Sequence, residues 1–160
     1  MQRLSDREKN PLMAATLQQS LLAPHTQPLV IDDCQVLIEQ EVSGMSGISG
    51  TAVKLAYKTV IKFSPGHVRY MVEVLLPQMT SELEPYWAQF TAAGDPEFGD
   101  YLAQHGDEVT QALLSVTDAR GAASSRPIIT KAYGAVRDKA ARHVTAALPR
   151  VGALVQKHAS

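Results

Sequence analysis

Val68-Arg-Tyr-Met71-Val72-Glu-Val-Leu75-Leu76-Pro77-Gln-Met79-Thr-Ser-Glu-Leu83-Glu-Pro85-Tyr86-Trp87-Ala-Gln-Phe90 is the stretch that decides the fold class. Val68, Met71, Val72, Leu75 and Leu76 recur at i, i+3, i+4, i+7 and i+8, a spacing that gathers apolar side chains on one side of an α-helix. Met79, Leu83, Tyr86, Trp87 and Phe90 carry the pattern on. Pro77 and Pro85 each delete a backbone donor, so the spacing predicts either one kinked helix or two helices meeting near Pro77.

The segments on both sides keep the same period. Upstream, Ser64-Pro65-Gly66 ends a helix on which Val53, Tyr57 and Val60 make one stripe and Lys54, Lys58 and Lys62 another. Before it, Ile31, Cys34, Ile38 and Val42 mark a helix that stops at Gly44-Met-Ser-Gly47-Ile-Ser-Gly50. Asn10-Pro11 offers a start for a first helix carrying Met13, Leu17 and Leu21, short and peripheral, ended by Pro24. Downstream, Gly94-Asp95-Pro96 is a stop and restart with Asp95 as the cap, leading into Phe98, Tyr101 and Leu102. After His105-Gly106-Asp107, Val109, Ala112, Leu113 and Val116 form the next inward face, which runs to the Ser124-Ser125-Arg126-Pro127 junction. Ile129, Tyr133, Val136, Ala140, Val144, Ala147, Val151 and Leu154 form the last, with Pro149 as a kink or break. Half-buried strand alternation is missing, so the expected fold is all-α: a compact bundle of about six or seven helices, several proline-kinked. Residues 1–27 are expected to form a peripheral helix and linker, and 28–160 the helical domain, a single globular unit overall.

At 160 residues and 45% apolar, the chain can bury a core without disulfide or structural metal. The single cysteine, Cys34, excludes an internal disulfide framework, and the mixed-charge N-terminus lacks a secretory pattern, so a cytoplasmic setting is expected. No apolar run is long enough for a transmembrane segment. Charge is segregated along the chain although it nearly balances overall. Residues 54–77 hold four basic side chains against one acidic, 78–125 one against eight, and 126–160 seven against one. Such blocks orient helix packing or contacts between copies.

Candidate chemistry centres on the glycine turn. Free amides at a helix start bind anions, which makes Gly47, Ser49, Gly50 and Thr51, with Lys54 and Lys58 beyond them, the candidate ligand- or anion-binding residues. The turn is not a phosphate-binding loop, because no lysine follows its last glycine, and it does not form Gly-x-Ser-x-Gly. Its structural alternative is a tight connection in which Ser49 caps the next helix. The lysine row could meet phosphates or an anionic membrane; with no interleaved aromatics, nucleic acid is the less expected partner. His25, His67, His105, His143 and His158 form no helical metal motif, so no metal ligand is assigned and no cofactor is expected. Glu97, Asp100, Asp107 and Glu108 suit helix starts, and Cys34 lies on an apolar stripe. Met71, Tyr86, Trp87 and Phe90 read as core or as the wall of a hydrophobic ligand site.

Gly47-Ile-Ser-Gly50-Thr-Ala-Val-Lys54-Leu-Ala-Tyr57-Lys58, Leu75-Leu-Pro77, Leu83-Glu-Pro85-Tyr-Trp87, Phe98-Gly-Asp-Tyr-Leu102, Val116-Thr-Asp-Ala-Arg120 and Ala147-Leu-Pro-Arg-Val-Gly-Ala-Leu-Val-Gln-Lys-His158 stand in that order. In these segments the chain resembles an uncharacterised family of small bacterial all-helical proteins, a domain of unknown function, over about Leu21 to His158. The resemblance implies a bacterial cytoplasmic protein and carries no activity, cofactor or catalytic residue.

The function expected from these readings is a non-catalytic protein-interaction or structural module that self-associates as a homo-oligomer. The alternative is a binder of a hydrophobic or anionic small ligand. An enzyme is the less expected class; a base within reach of Ser49, Cys34 or Tyr57 in a pocket would favour it.

Overall fold

A computed structural model describes residues 16–123 and 127–159, and among them every regular element is helical. The seven helices are α1 (Leu17–Leu21), α2 (Gln27–Ser43), α3 (Gly47–Phe63), α4 (His67–Ala93), α5 (Phe98–Gln104), α6 (Gly106–Ala123) and α7 (Pro127–Ala159). The Asn10-Pro11 helix start, Met13 and the Ser124–Arg126 junction lie outside the described residues.

Two long helices organise the rest. α4 runs unbroken through Pro77 and Pro85, and α7 through Pro149, which settles the choice left open at Pro77 in favour of one helix. At 1.5 Å per residue they span about 40 and about 50 Å. They scarcely touch each other; instead α1, α2, α3, α5 and α6 each pack against both. The core between them joins Leu17, Leu21, Val30, Leu83, Phe90, Phe98, Leu102, Val109 and Leu148. The segment read as peripheral therefore places Leu17 and Leu21 fully inside, and Glu84 accepts the Leu17 N–H at 2.9 Å.

Aromatic rings fill the α4–α5 contact. Trp87 meets Phe98 edge-on at 5.0 Å between centroids, Phe90 lies 5.1 Å from Phe98, and Tyr101 donates to Gln89 Oε1 at 2.7 Å. Tyr86 donates to Glu108 Oε1, and burial together with that bond pushes its phenol up to about 12. Four side chains proposed as core or ligand wall thus divide: Phe90 is buried among rings, whereas Met71, Tyr86 and Trp87 are half-buried.

Two expected caps are corrected. Asp95 does not cap α5, which starts two residues later than its proline implied, with Glu97 at the N-cap and no side-chain cap of its own. Gln156 of α7 supplies the missing acceptor: its Oε1 takes the Phe98 N–H at 2.9 Å and its Nε2 donates to the Pro96 carbonyl at 2.9 Å. A side chain distant in sequence performs the local job. Ser49 likewise does not cap α3; Ser46 holds that position, and Ser49 sits inside the first turn.

Basic groups of α7 find acids on two different helices. Asp118 of α6 accepts from Arg137 Nη2 at 2.8 Å and from the Tyr133 hydroxyl at 2.6 Å, but Glu41 and Asp33 of α2 take Arg150 and the Lys157–His158 pair. The Arg137 bond first, then the Tyr133 bond, lower the Asp118 carboxyl below its usual value; Lys157 and then His158 do the same for Asp33. A depressed carboxylate stabilises the fold fully above its unfolded pKa of about 3.9 and loses that contribution as pH falls toward the folded value. The urea midpoint is therefore expected to hold from neutral pH to about pH 5 and to drop below about pH 4. Asp118→Asn and Asp33→Asn should lower the neutral plateau and shrink the acid drop. An acid limb unchanged by both substitutions would show that other carboxylates govern it.

Candidate interaction surface

The turn before α3 is built on glycine. Gly47 has φ 77°, a left-handed value that side chains rarely adopt, and a Cβ on Gly50 would meet the Met45 backbone carbon and Cβ at 3.0 Å. Gly50 is the one buried residue among those of α3. The helix is thus held by close backbone approach at one end and by half-buried Val53, Tyr57 and Val60 along its length.

Both hydroxyls of the candidate set, Ser49 and Thr51, have partners. Thr51 Oγ1 donates to the Gly47 carbonyl at 2.8 Å, and Ser49 Oγ lies 3.2 Å from His143 Nε2 on α7. A serine beside an imidazole is half of an acyl-transfer pair, because the ring can take the hydroxyl proton. The contact also ties α3 to α7. Sequence spacing could not have found it, since the partners stand 94 residues apart.

Lys54 and Lys58 do not close around this turn. They lie one and two helical turns further along the shaft, and with Lys62 form a row at i, i+4 and i+8. Of the candidate set, then, Gly47, Ser49, Gly50 and Thr51 are gathered at the helix start, while Lys54 and Lys58 belong to a lengthwise surface. Among the described residues no carboxylate pairs with any of the three lysines; Lys62 Nζ instead stands 5.7 Å over the Phe63 ring.

Beside that row runs an apolar ridge that the sequence pattern did not single out. Ile48, Leu55 and Phe63 are 88%, 65% and 56% exposed, and with Ala52 and Thr59 they fall at i, i+4, i+7, i+11 and i+15 on one side of α3. Leu55 therefore neighbours Lys58, three residues on, and Lys62, two turns on. α3 contains no acidic residue at all. Its one available signal in the sequence was an excess of apolar positions: Ile48, Leu55 and Phe63 fall outside the Val53–Tyr57–Val60 stripe.

The other reactive candidates are quiet. Burial first, then the Asp33 charge, push the Cys34 thiol up to about 11, so it stays protonated and weakly nucleophilic at neutral pH. Burial and the Glu39 charge raise the Tyr57 phenol. No group of three or more His, Cys, Asp or Glu side chains among the described residues could hold a metal ion, and no helix is long and apolar enough to cross a membrane.

One family model matches residues 17–159, almost the whole described chain. The chain belongs to DUF6918, a family of unknown function. Searches of curated proteins and of solved structures give no match. For this DUF6918 chain the physical character of its surface is consequently the guide to what it does, and α3 is where that surface departs most from an ordinary solvated helix.

Proposed function

We propose that this DUF6918 protein is a non-catalytic docking module whose working surface is the outward side of α3. One observation carries the reading: Ile48, Leu55 and Phe63 stand exposed in a line beside three lysines that have no acidic partner within the described chain. Isolated exposed apolar residues are normal on any surface, but a ridge of them along one helix, rimmed by charge, marks a contact site. Arg69, Arg137, Arg150 and Lys157 each pair with a carboxylate. Lys131, Lys139 and Arg142 of α7, like the α3 lysines, have no such partner among the described residues, but it is on α3 that the basic row runs beside a line of exposed large apolar side chains. Self-association and docking on another partner both use such a surface.

A photo-reactive residue placed at position 55 of the full chain in intact cells is expected to yield discrete adducts, whereas the same probe at exposed Asp100 yields few. Equal, low yields at both positions would overturn the reading. The mass of an adduct distinguishes a second copy, another protein and a lipid.

A further inference from the structure

Resting on that reading, we infer that the occupant of the α3 face is an anionic lipid surface, with the helix lying in the headgroup plane. Ile48 and Phe63 are fifteen residues apart on one continuous helix, so the exposed ridge is about 22 Å long. A planar, fluid surface receives such a line without a shaped groove. The lysine row borders the ridge, where long stems lie along apolar ground and ammonium groups reach phosphate and carboxylate headgroups. α3 carries three positive charges and no negative one, the sign an anionic leaflet attracts.

The charge pattern disfavours the other occupants. A two-fold contact that runs α3 antiparallel to its copy would set one lysine row against the other, and a parallel one would still bring both rows to one seam with no acidic residue of α3 to offset them, so both repel. A head-to-tail contact would need an acidic face with exposed apolar side chains. The acidic stretch 78–125 has no exposed large apolar side chain among its described residues, and on α2, where Leu29 and Val36 are exposed, Asp32, Asp33 and Glu41 are already engaged by Arg69, Lys157 and Arg150. Residues 1–15 hold Arg3, Arg7 and Lys9 against Asp6 and Glu8, and so bring the lysines no net negative charge.

The test is co-sedimentation of the full chain with vesicles of phosphatidylcholine alone and of phosphatidylcholine containing phosphatidylserine. The protein is expected to pellet with the second kind only and to be released by added salt. Lys58→Glu/Lys62→Glu should weaken that binding by roughly 100-fold, since each lysine near an anionic surface contributes several-fold and reversal adds repulsion. Leu55→Ser should weaken it while leaving net charge untouched, and Asp95→Asn/Asp100→Asn should leave it intact; far-UV circular dichroism confirms that each variant is helical. No binding to serine-lipid vesicles, equal binding to both kinds, or binding indifferent to the α3 substitutions would each overturn the lipid assignment. If lipid binding is absent and sedimentation velocity shows an oligomer that Leu55→Ser dissolves, the lipid assignment fails while the docking module stands. If neither lipid binding nor self-association responds to α3 and the photo-probe is silent, both fail.

Discussion

Gly152→Ala is expected to destabilise the protein by about 3 kcal/mol, although alanine is the better helix former by about 1 kcal/mol. Gly152 of α7 faces Gly99 of α5 with nothing between their backbones. A Cβ on Gly152 would run into the Gly99 Cα and amide nitrogen and would come 2.8 Å from the Phe98 carbonyl carbon. Carbon atoms rest at about 3.5–4.0 Å, and these neighbours are backbone, so the helices must separate. Separation would also pull Gln156 away from the Phe98 amide that it caps and disturb the core around Phe98. The reciprocal position is as tight: a Cβ on Gly99 would meet the Pro149 carbonyl, with the Pro149 Cα at 3.0 Å. Gly134, in the same helix with open space around it, is the control. Gly134→Ala should stabilise by up to about 1 kcal/mol. Urea unfolding followed by circular dichroism reads both as shifts of midpoint in opposite directions. Two shifts of the same sign would mean that α5 and α7 do not cross at these glycines.

Phe98→Ala is expected to cost about 3–5 kcal/mol, near the whole margin of a marginally stable domain. The Phe98 side chain is fully buried and touches the rings of Trp87, Phe90 and Tyr101, from three turns of two helices. Truncation leaves a cavity that the rigid rings around it cannot close. Trp87 is the only tryptophan, so its emission reports the site directly and should shift to the red as water gains access. Phe63→Ala removes the same atoms from an exposed ring and should change stability by less than about 0.5 kcal/mol. Similar costs for the two phenylalanines would show that Phe98 is not the centre of the core.

Helical character was written plainly in the chain. The 3.6-residue recurrence in 68–90 and 129–154 needs only local spacing, and the breaks at Ser64-Pro65-Gly66 and Gly94 are local chemistry: Gly66 and Gly94 adopt φ 80° and 72°, which glycine alone takes freely. A proline inside a periodic stretch is ambiguous for the opposite reason. Its lost hydrogen bond can be offset by packing on both sides, and α4 and α7, each clasped by five shorter helices, each remain one continuous helix.

What escaped the sequence was decided by distance along the chain. Gly99 and Gly152 each interrupt an otherwise good helix former pattern, a cost that hints at close packing, but only the crossing of α5 on α7 shows which backbone each one admits. The α5 cap was assigned to Asp95 because a nearby carboxylate is the usual acceptor, whereas Gln156 reaches the site first through tertiary packing. The candidate site divided in the same way: Gly47 and Gly50 were legible as a backbone turn, and the lysine row as one helical face. That Ser49 meets His143, and that Ile48, Leu55 and Phe63 remain outside the core, depended on which side of α3 the bundle covered. By itself the sequence determined helices, breaks and charge blocks, because those follow from neighbours within a few residues. Only the tertiary structure decided which apolar residues are buried and which are offered to a partner, because periodicity marks a helix's faces without saying how many of them the rest of the chain can cover.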